Sequence, residues 1–432
     1  MLERLQGALW RNRDFLCLWS AQTVSQVGSQ ITLLALPFIA ILVLHATTFE
    51  IAALGVVEYA PLILFALPAG AWVDRVRRRP IMIAADLGRA AALGSIPVVY
   101  AVGGLSLAQL YAVGFFVGML TVFFDVSYQS ALPALVSRTE IAEANAKLEL
   151  TRSAAQVSGP SIAGGLVAAL TAPYAIAADA ISFLGSAALL GAIRRGEPEP
   201  ARPASRPRML REIAEGLRFV LRHPILRPNM AFTATANVFN SIFIAVLLVW
   251  AVRKLHLTPG TIGLVLSGAS GGGLVAAAFA PRLQRRFGVG RTMLVAAFSG
   301  WALLLLPLSS GALRVPLLLL PLLIWNFGVV VFNVASVSLM QAITPERLLG
   351  RMTASRRLVV WGTIAPATLL GGVLGTYVGL RETVLIGAAG RALAGLIIFR
   401  SPVRSIRRLE DADALVACFD ATSSRGGERA LE

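Results

Sequence analysis

The chain has 432 residues, 56% hydrophobic and only 14% charged, with a formal net charge of +16. A soluble chain carries about 25% charged residues, so the composition excludes a soluble enzyme. The basic residues lie between apolar spans rather than in one patch, which argues against nucleic acid as the partner. Cys17 and Cys418 are the only cysteines, His45, His223 and His256 are scattered, and no G-x-x-x-x-G-K-[ST] loop occurs; no disulfide framework, metal site, nucleotide or other cofactor is expected.

Twelve apolar stretches follow in order: 15–44, 50–73, 80–102, 105–126, 146–170, 172–193, 228–252, 259–281, 290–310, 314–340, 354–378 and 382–400. A helix of ~20 apolar residues crosses ~30 Å of hydrocarbon and satisfies its own backbone there. The first stretch is too long for a signal-peptide core and lacks a small-residue cleavage site, so it is read as the first span. Pro37, Pro61, Pro68, Pro97, Pro160, Pro307, Pro321 and Pro366 fall inside spans, where neighbouring helices satisfy the freed carbonyls.

Span 1 carries Gln22, Gln26 and Gln30 at i, i+4, i+8, with Ser25 and Ser29 beside them, so one face is polar. Span 7 repeats this with Thr233, Asn237 and Ser241, plus Asn240. Two readings stay open: these faces line a central cavity, or they hydrogen-bond between helices. Glu58, Asp86, Arg89, Asp179 and Arg391 are intramembrane charges, which are costly and generally functional. Asp86 and Arg89 are three apart, share a helix face and can neutralise each other. Asp86 and Glu58, with Arg89, are the proton-coupling candidates, since an acid in a low-dielectric cavity suits proton exchange. Asp179 is placed near an outer rim, and Arg391 is expected to pack or snorkel.

The connection after span 2 reads Gly70-Ala71-Trp72-Val73-Asp74-Arg75-Val76-Arg77-Arg78-Arg79. Gly70 would let helices approach closely, and Asp74 needs a basic partner or a helix N-terminus. The segment is either an inter-helix latch or a basic turn that sets topology. Span 5 carries Gly159, Pro160, Gly164 and Gly165, a set that bends a helix and permits close packing. Trp325, Asn326, Phe327, Phe332 and Asn333 in span 10 place aromatics beside amides, which suits a bulky, partly apolar solute.

Arginines crowd alternate connections: Arg75–Arg79, Arg138, Arg282–Arg286, Arg347–Arg357, and nine between Arg194 and Arg227. The bias puts both termini in the cytoplasm of a plasma-membrane protein. The organisation is a bundle over 1–193, a linker over 194–227, a bundle over 228–400 and a mobile tail over 401–432. The linker begins irregular, then shows Leu210, Ile213, Leu217 and Val220 at helical spacing over 209–223. This amphipathic helix suits either the membrane surface or the end of a bundle. The halves repeat weakly at an offset of about 207 residues, pairing Arg75–Arg79 with Arg282–Arg286 and Gly164-Gly165 with Gly371-Gly372. Parallel six-helix repeats belong to a transporter architecture with the solute site between halves.

Gly70, Asp74, Arg75, Arg78 and Arg79 match the G-x-x-x-D-R-x-G-R-[RK] signature of the major facilitator superfamily, with Arg77 in place of the usual glycine. The chain resembles that superfamily throughout its length. Segments 135–146 and 215–224 are similar to its branch of macrolide and siderophore exporters of the enterobactin type, which are drug:proton antiporters. The resemblance implies an all-α membrane protein of twelve transmembrane helices in two pseudo-symmetric six-helix bundles. It implies that Asp125 joins Gly70, Asp74, Arg75 and Arg78 in a cytoplasmic latch, and that the span 5 motif marks an antiporter. The expected function is efflux of a bulky, partly apolar small molecule by alternating access and proton antiport, with uptake or facilitated diffusion as the alternative. Gln26, Gln30, Asn237, Asn240 and Asn326 are the expected solute contacts. Protons, a small-molecule substrate and membrane lipids are the expected partners of a monomer that is not an enzyme.

Overall fold

The computed structural model describes residues 9–73, 75–194 and 209–408. Its elements are helices: α1 (Arg13–Phe38), α2 (Thr48–Val73), α3 (Arg78–Ala101), α4 (Leu107–Leu135), α5 (Ile141–Leu170), α6 (Ala172–Gly191), α7 (Met209–Arg222), α8 (Leu226–Arg253), α9 (Pro259–Phe287), α10 (Val289–Phe298), α11 (Arg314–Ile343), α12 (Glu346–Tyr377) and α13 (Leu380–Phe399). The segments α1–α6 and α8–α13 occupy the twelve expected spans. Among the described residues, eleven helical segments are long and apolar enough to cross a membrane. The remaining long helix, α5, carries Glu143, Lys147, Glu149 and Arg152 in its first half.

Local chemistry sets the helix starts. Asn12 caps α1 by accepting from Phe15 N (3.1 Å), and its amide donates to the Leu135 carbonyl of α4 (3.0 Å). Thr47 and Glu50 form a reciprocal capping box at α2: Thr47 N donates to Glu50 Oε2 (2.7 Å) and Glu50 N to Thr47 Oγ1 (3.3 Å). After Pro37, α1 widens into a π-helical turn over Ile39–Val43.

Two compact units are present, one holding the chain up to Arg206 together with Leu248–Ser267, the other Pro207–Leu247 and the chain from Gly268. In the first unit α6 packs on α1 and α3, α4 packs on α2 and α3, and α5 packs on α1. The start of α9 also belongs here. Gly164 of α5 and Gly263 of α9 bring their backbones together, because a Cβ on Gly164 would lie 3.0 Å from Gly263 Cα. Ser161 N, one residue past Pro160, donates to Ser267 Oγ (2.9 Å).

In the second unit α10 packs on α11 and α13, and α12 packs on α13 and α7. Span 9 is not one helix: α10 ends at Phe298 and continues as a 3-10 helix over Ser299–Leu308. The buried Arg391 donates to the Ala297 carbonyl (3.3 Å) and lies over the Phe232 ring (5.1 Å). Its guanidinium therefore sits where the α10 carbonyls lose their helical partners, a site that favours a cation. Arg391 packs there rather than snorkelling.

The amphipathic linker helix is α7, and it docks on α12. Gly216 meets the backbone at Arg351, and Arg351 pairs with Glu215 (2.7 Å). Expected mobility from residue 401 onward is corrected for its first residues. Val403 and Ile406 are buried, and the carbonyls of Ile406 and Arg407 accept from Gly290 N (2.8 Å) and Val289 N (3.1 Å) at the start of α10. Cys418 lies outside the described residues.

The internal repeat is visible in the turns after α1 and α8. His45 and His256 both take left-handed backbone angles (φ 49° and 50°). Each is followed by a buried residue, Ala46 or Leu257, whose N–H closes onto the preceding helix at Ala40 or Ala251. An offset of 207 would pair His45 with Val252, so the register of the repeat shifts between elements.

Candidate functional site

The cavity that carries chemistry lies within the first unit and measures about 200 Å³. Helix α1 contributes Ser29, Thr32, Leu33 and Leu36; α2 contributes Glu58 and Tyr59; α4 contributes Gly114, Val117, Gly118 and Thr121; α6 contributes Asp179 and Phe183. Two carboxylates thus face one small space among apolar walls.

Asp179 is fully buried. It stands about 10 Å into α6 from Ala172 at 1.5 Å per residue, not at the rim expected for it. Thr32 Oγ1 donates to one carboxylate oxygen and Ser182 Oγ to the other (2.9 Å). Gly28 makes the approach of α1 possible, since a Cβ there would overlap Ser182 Oγ and Asp179 Oδ1. Glu58 is placed by two further glycines. A Cβ on Gly118 would lie 2.6 Å from the Glu58 carbonyl oxygen, and one on Gly114 would lie 3.1 Å from its Cγ.

Behind the cavity, α3 presents the expected Asp86–Arg89 ion pair, both residues buried. The Arg89 guanidinium lies between the rings of Phe124 (4.4 Å) and Phe183 (4.1 Å) and reaches Thr121 Oγ1 at 3.4 Å. Arg89 Nε and Asp86 Oδ2 are buried without hydrogen-bond partners, and Ser186 lies near Asp86 but outside hydrogen-bond geometry. Asp86, Asp125 and Asp179 all act electrostatically on Arg89. One buried cation therefore pairs with Asp86 and feels the charge of two further acids on α4 and α6.

Gln30 lays its Cβ and Cγ in the notch at Gly159 of α5. Gln22 is buried with Oε1 unpartnered, and Gln26 is half-buried. Of the span 5 set, Gly159 thus seats α1, Gly164 and the Pro160 carbonyl meet α9 at Gly263, and Gly165 faces open space. In the second unit Asn240 Oδ1 and Trp325 Nε1 are buried without partners, and Trp325 meets Phe243 edge-on (6.1 Å). Asn237 and Asn326 are half-buried. A mutual Asn229–Ser336 hydrogen bond (2.8 Å) links α8 and α11 and was not foreseen.

The latch expectation needs one correction. Among the described residues Gly70 serves no close helix approach, because a Cβ there would meet none of their atoms within 4 Å. Asp125 lies inside α4, which runs on past the expected span to Leu135. Asp74 lies outside the described residues. Arg75 is exposed and Arg78 half-buried. Arg79 ties two helices together, its guanidinium donating to the carbonyls of Leu190 (2.8 Å) and Gly191 at the end of α6.

A family model described as transmembrane secretion effector matches residues 7–419. The chain belongs to that family of the major facilitator superfamily. This major facilitator transporter is 26% identical over 391 residues to the multidrug efflux pump Tap of Mycolicibacterium fortuitum, covering 88% of this chain and 94% of the relative. It is 26% identical over 312 residues to the enterobactin exporter EntS of Citrobacter koseri, covering 68% and 69%. The transporter also shares its fold with a bacterial homologue of the iron transporter ferroportin in an inward-facing state (TM-score 0.71, 18% identity, 90% and 98% covered). A second neighbour in fold is a point mutant of the nucleoside transporter NupG (TM-score 0.69, 11% identity, 89% and 99% covered). The family and its relatives are transporters, so this chain is a multi-span membrane transporter and not an enzyme.

Proposed function

We propose that this transporter exports a small, partly apolar molecule by alternating access, in exchange for protons. The observation that carries the reading is the pairing of Glu58 and Asp179 in one cavity of the first unit. A buried carboxylate remains able to ionise, and so to give up a proton as well as take one, when polar donors offset the cost of burying its charged form, and Thr32 and Ser182 supply them to Asp179. The efflux pump and exporter among the relatives support the outward direction.

The cavity is smaller than the ~300–1,000 Å³ of a drug-sized pocket. It therefore suits the proton, or one polar group of the cargo, rather than a whole bulky molecule. Gln26, Gln30, Asn237, Asn240 and Asn326 are retained as proposed cargo contacts. Asp86 and Arg89 set the charge behind the cavity, while Asp179 joins Glu58 as the proton site. Asp74, Arg75, Arg78 and Asp125 are proposed as the latch, with both termini cytoplasmic in a plasma-membrane monomer surrounded by lipid.

The test has two stages. Drug and siderophore susceptibility of cells lacking the protein identifies the cargo. Cellular accumulation of that compound is then measured before and after the proton gradient is collapsed. Accumulation should rise on collapse only where the protein is present; export that persists without the gradient removes the coupling.

A further inference from the structure

The Asp86–Arg89 pair lies one aromatic ring away from the carboxylate-lined cavity, and it is incompletely satisfied. Arg89 Nε and Asp86 Oδ2 have no hydrogen-bond partner, and the bond from Arg89 Nη1 to Thr121 Oγ1 is long at 3.4 Å. A buried ion pair left partly unsatisfied contributes little to stability by itself. Such a pair is suited to responding to its surroundings.

Two residues touch both the pair and the cavity. Thr121 lines the cavity and gives its own hydroxyl proton to the Val117 carbonyl (2.8 Å), which leaves a lone pair for Arg89. Phe183 lines the cavity with a ring that also carries the guanidinium (4.1 Å). The charged groups that act electrostatically on Arg89 are Asp86 on its own helix, Asp125 on α4 and Asp179 on α6. Glu58 of α2 borders the same cavity, and α1 offers Thr32, which carries no charge.

We propose that Thr121 and Phe183 are positioning residues through which the Asp86–Arg89 pair senses the charge on Asp179 and Glu58. This rests on the reading of those two acids as proton sites. A proton taken from water onto a cavity carboxylate removes one negative charge facing Arg89. The guanidinium then keeps its bond to Asp86 and gives up the long contact to Thr121. When the proton returns to water, the guanidinium is drawn back between the two rings toward the cavity.

Infrared titration of the purified full-length protein in lipid vesicles reads this without a cargo. Glu58→Gln and Asp179→Asn assign the titrating carboxyl bands by removing them. In the wild type, Asp86→Asn should move the Asp179 midpoint by about one pH unit, the low end of the ~1–3 units a neighbouring charge produces. That shift should collapse in Thr121→Val and Phe183→Leu backgrounds and return with Thr121→Ser, which keeps the hydroxyl. A shift of equal size in all backgrounds, or no shift on Asp86→Asn, overturns the sensing role while leaving the proton sites standing. If neither Glu58→Gln nor Asp179→Asn removes a titrating band, both readings fall together.

Discussion

Thr32 on α1 donates its hydroxyl to Asp179 on α6, a buried bond between helices 147 positions apart in sequence. A hydrogen bond to a charged group contributes about 1.5–3 kcal/mol. Thr32→Val should therefore cut gradient-driven export roughly tenfold or more, and Asp179→Asn should abolish it. Initial efflux rates at matched expression check this. Wild-type rates in Thr32→Val would remove Thr32 from the mechanism.

Gly28 admits the Asp179 and Ser182 side chains under the α1 backbone, whereas Gly55 on α2 has open space around it. Gly28→Ala should destabilise the protein by about 1–3 kcal/mol, the cost of overpacking a close contact, and Gly55→Ala should change little. Thermal unfolding in detergent compares the two directly.

The turn before α5 gives a pH-dependent prediction outside the spans. Glu140 accepts from Ser137 N (2.9 Å) and Ser137 Oγ (2.6 Å), and these bonds hold its carboxyl below the ordinary carboxylate range. A lowered folded-state value means stabilisation is present at neutral pH and is lost as pH falls through that lowered value. Ser137→Ala should lower the melting temperature at neutral pH and leave it unchanged once Glu140 is protonated in wild type and variant alike.

Gly216 of α7 lies against the Arg351 backbone, and Glu215 pairs with Arg351. Gly216→Val should undock the linker helix while leaving the spans folded. Hydrogen exchange of residues 215–222 should then approach that of free peptide, with the α8 amides unchanged.

Spans were legible in the sequence because apolar length alone defines them, and the Asp86–Arg89 pair was legible because i, i+3 spacing puts both on one helix face. Asp179 was undervalued because its meaning comes from Thr32 and Gly28, which no short spacing connects to it. A glycine shows its purpose only once the helix facing it is known: Gly28, Gly114 and Gly118 build the cavity, while a Cβ on Gly70, within the most recognisable motif, would meet nothing among the described residues. The end of α10 coincides with Ser299-Gly300, a turn-marking dipeptide, but nothing in the sequence shows that the chain runs on from there as a 3-10 helix. Its buried counterpart Arg391 was visible as an intramembrane charge, but the Ala297 carbonyl it serves was not.

The most direct measurement is uptake of the identified cargo into inverted membrane vesicles, with and without an imposed pH gradient, for wild type, Glu58→Gln and Asp179→Asn. Gradient-driven uptake is expected in the wild type, and its loss in Asp179→Asn and sharp reduction in Glu58→Gln at normal protein levels are expected with it. Full gradient-driven uptake in both variants would contradict a proton pathway through this cavity.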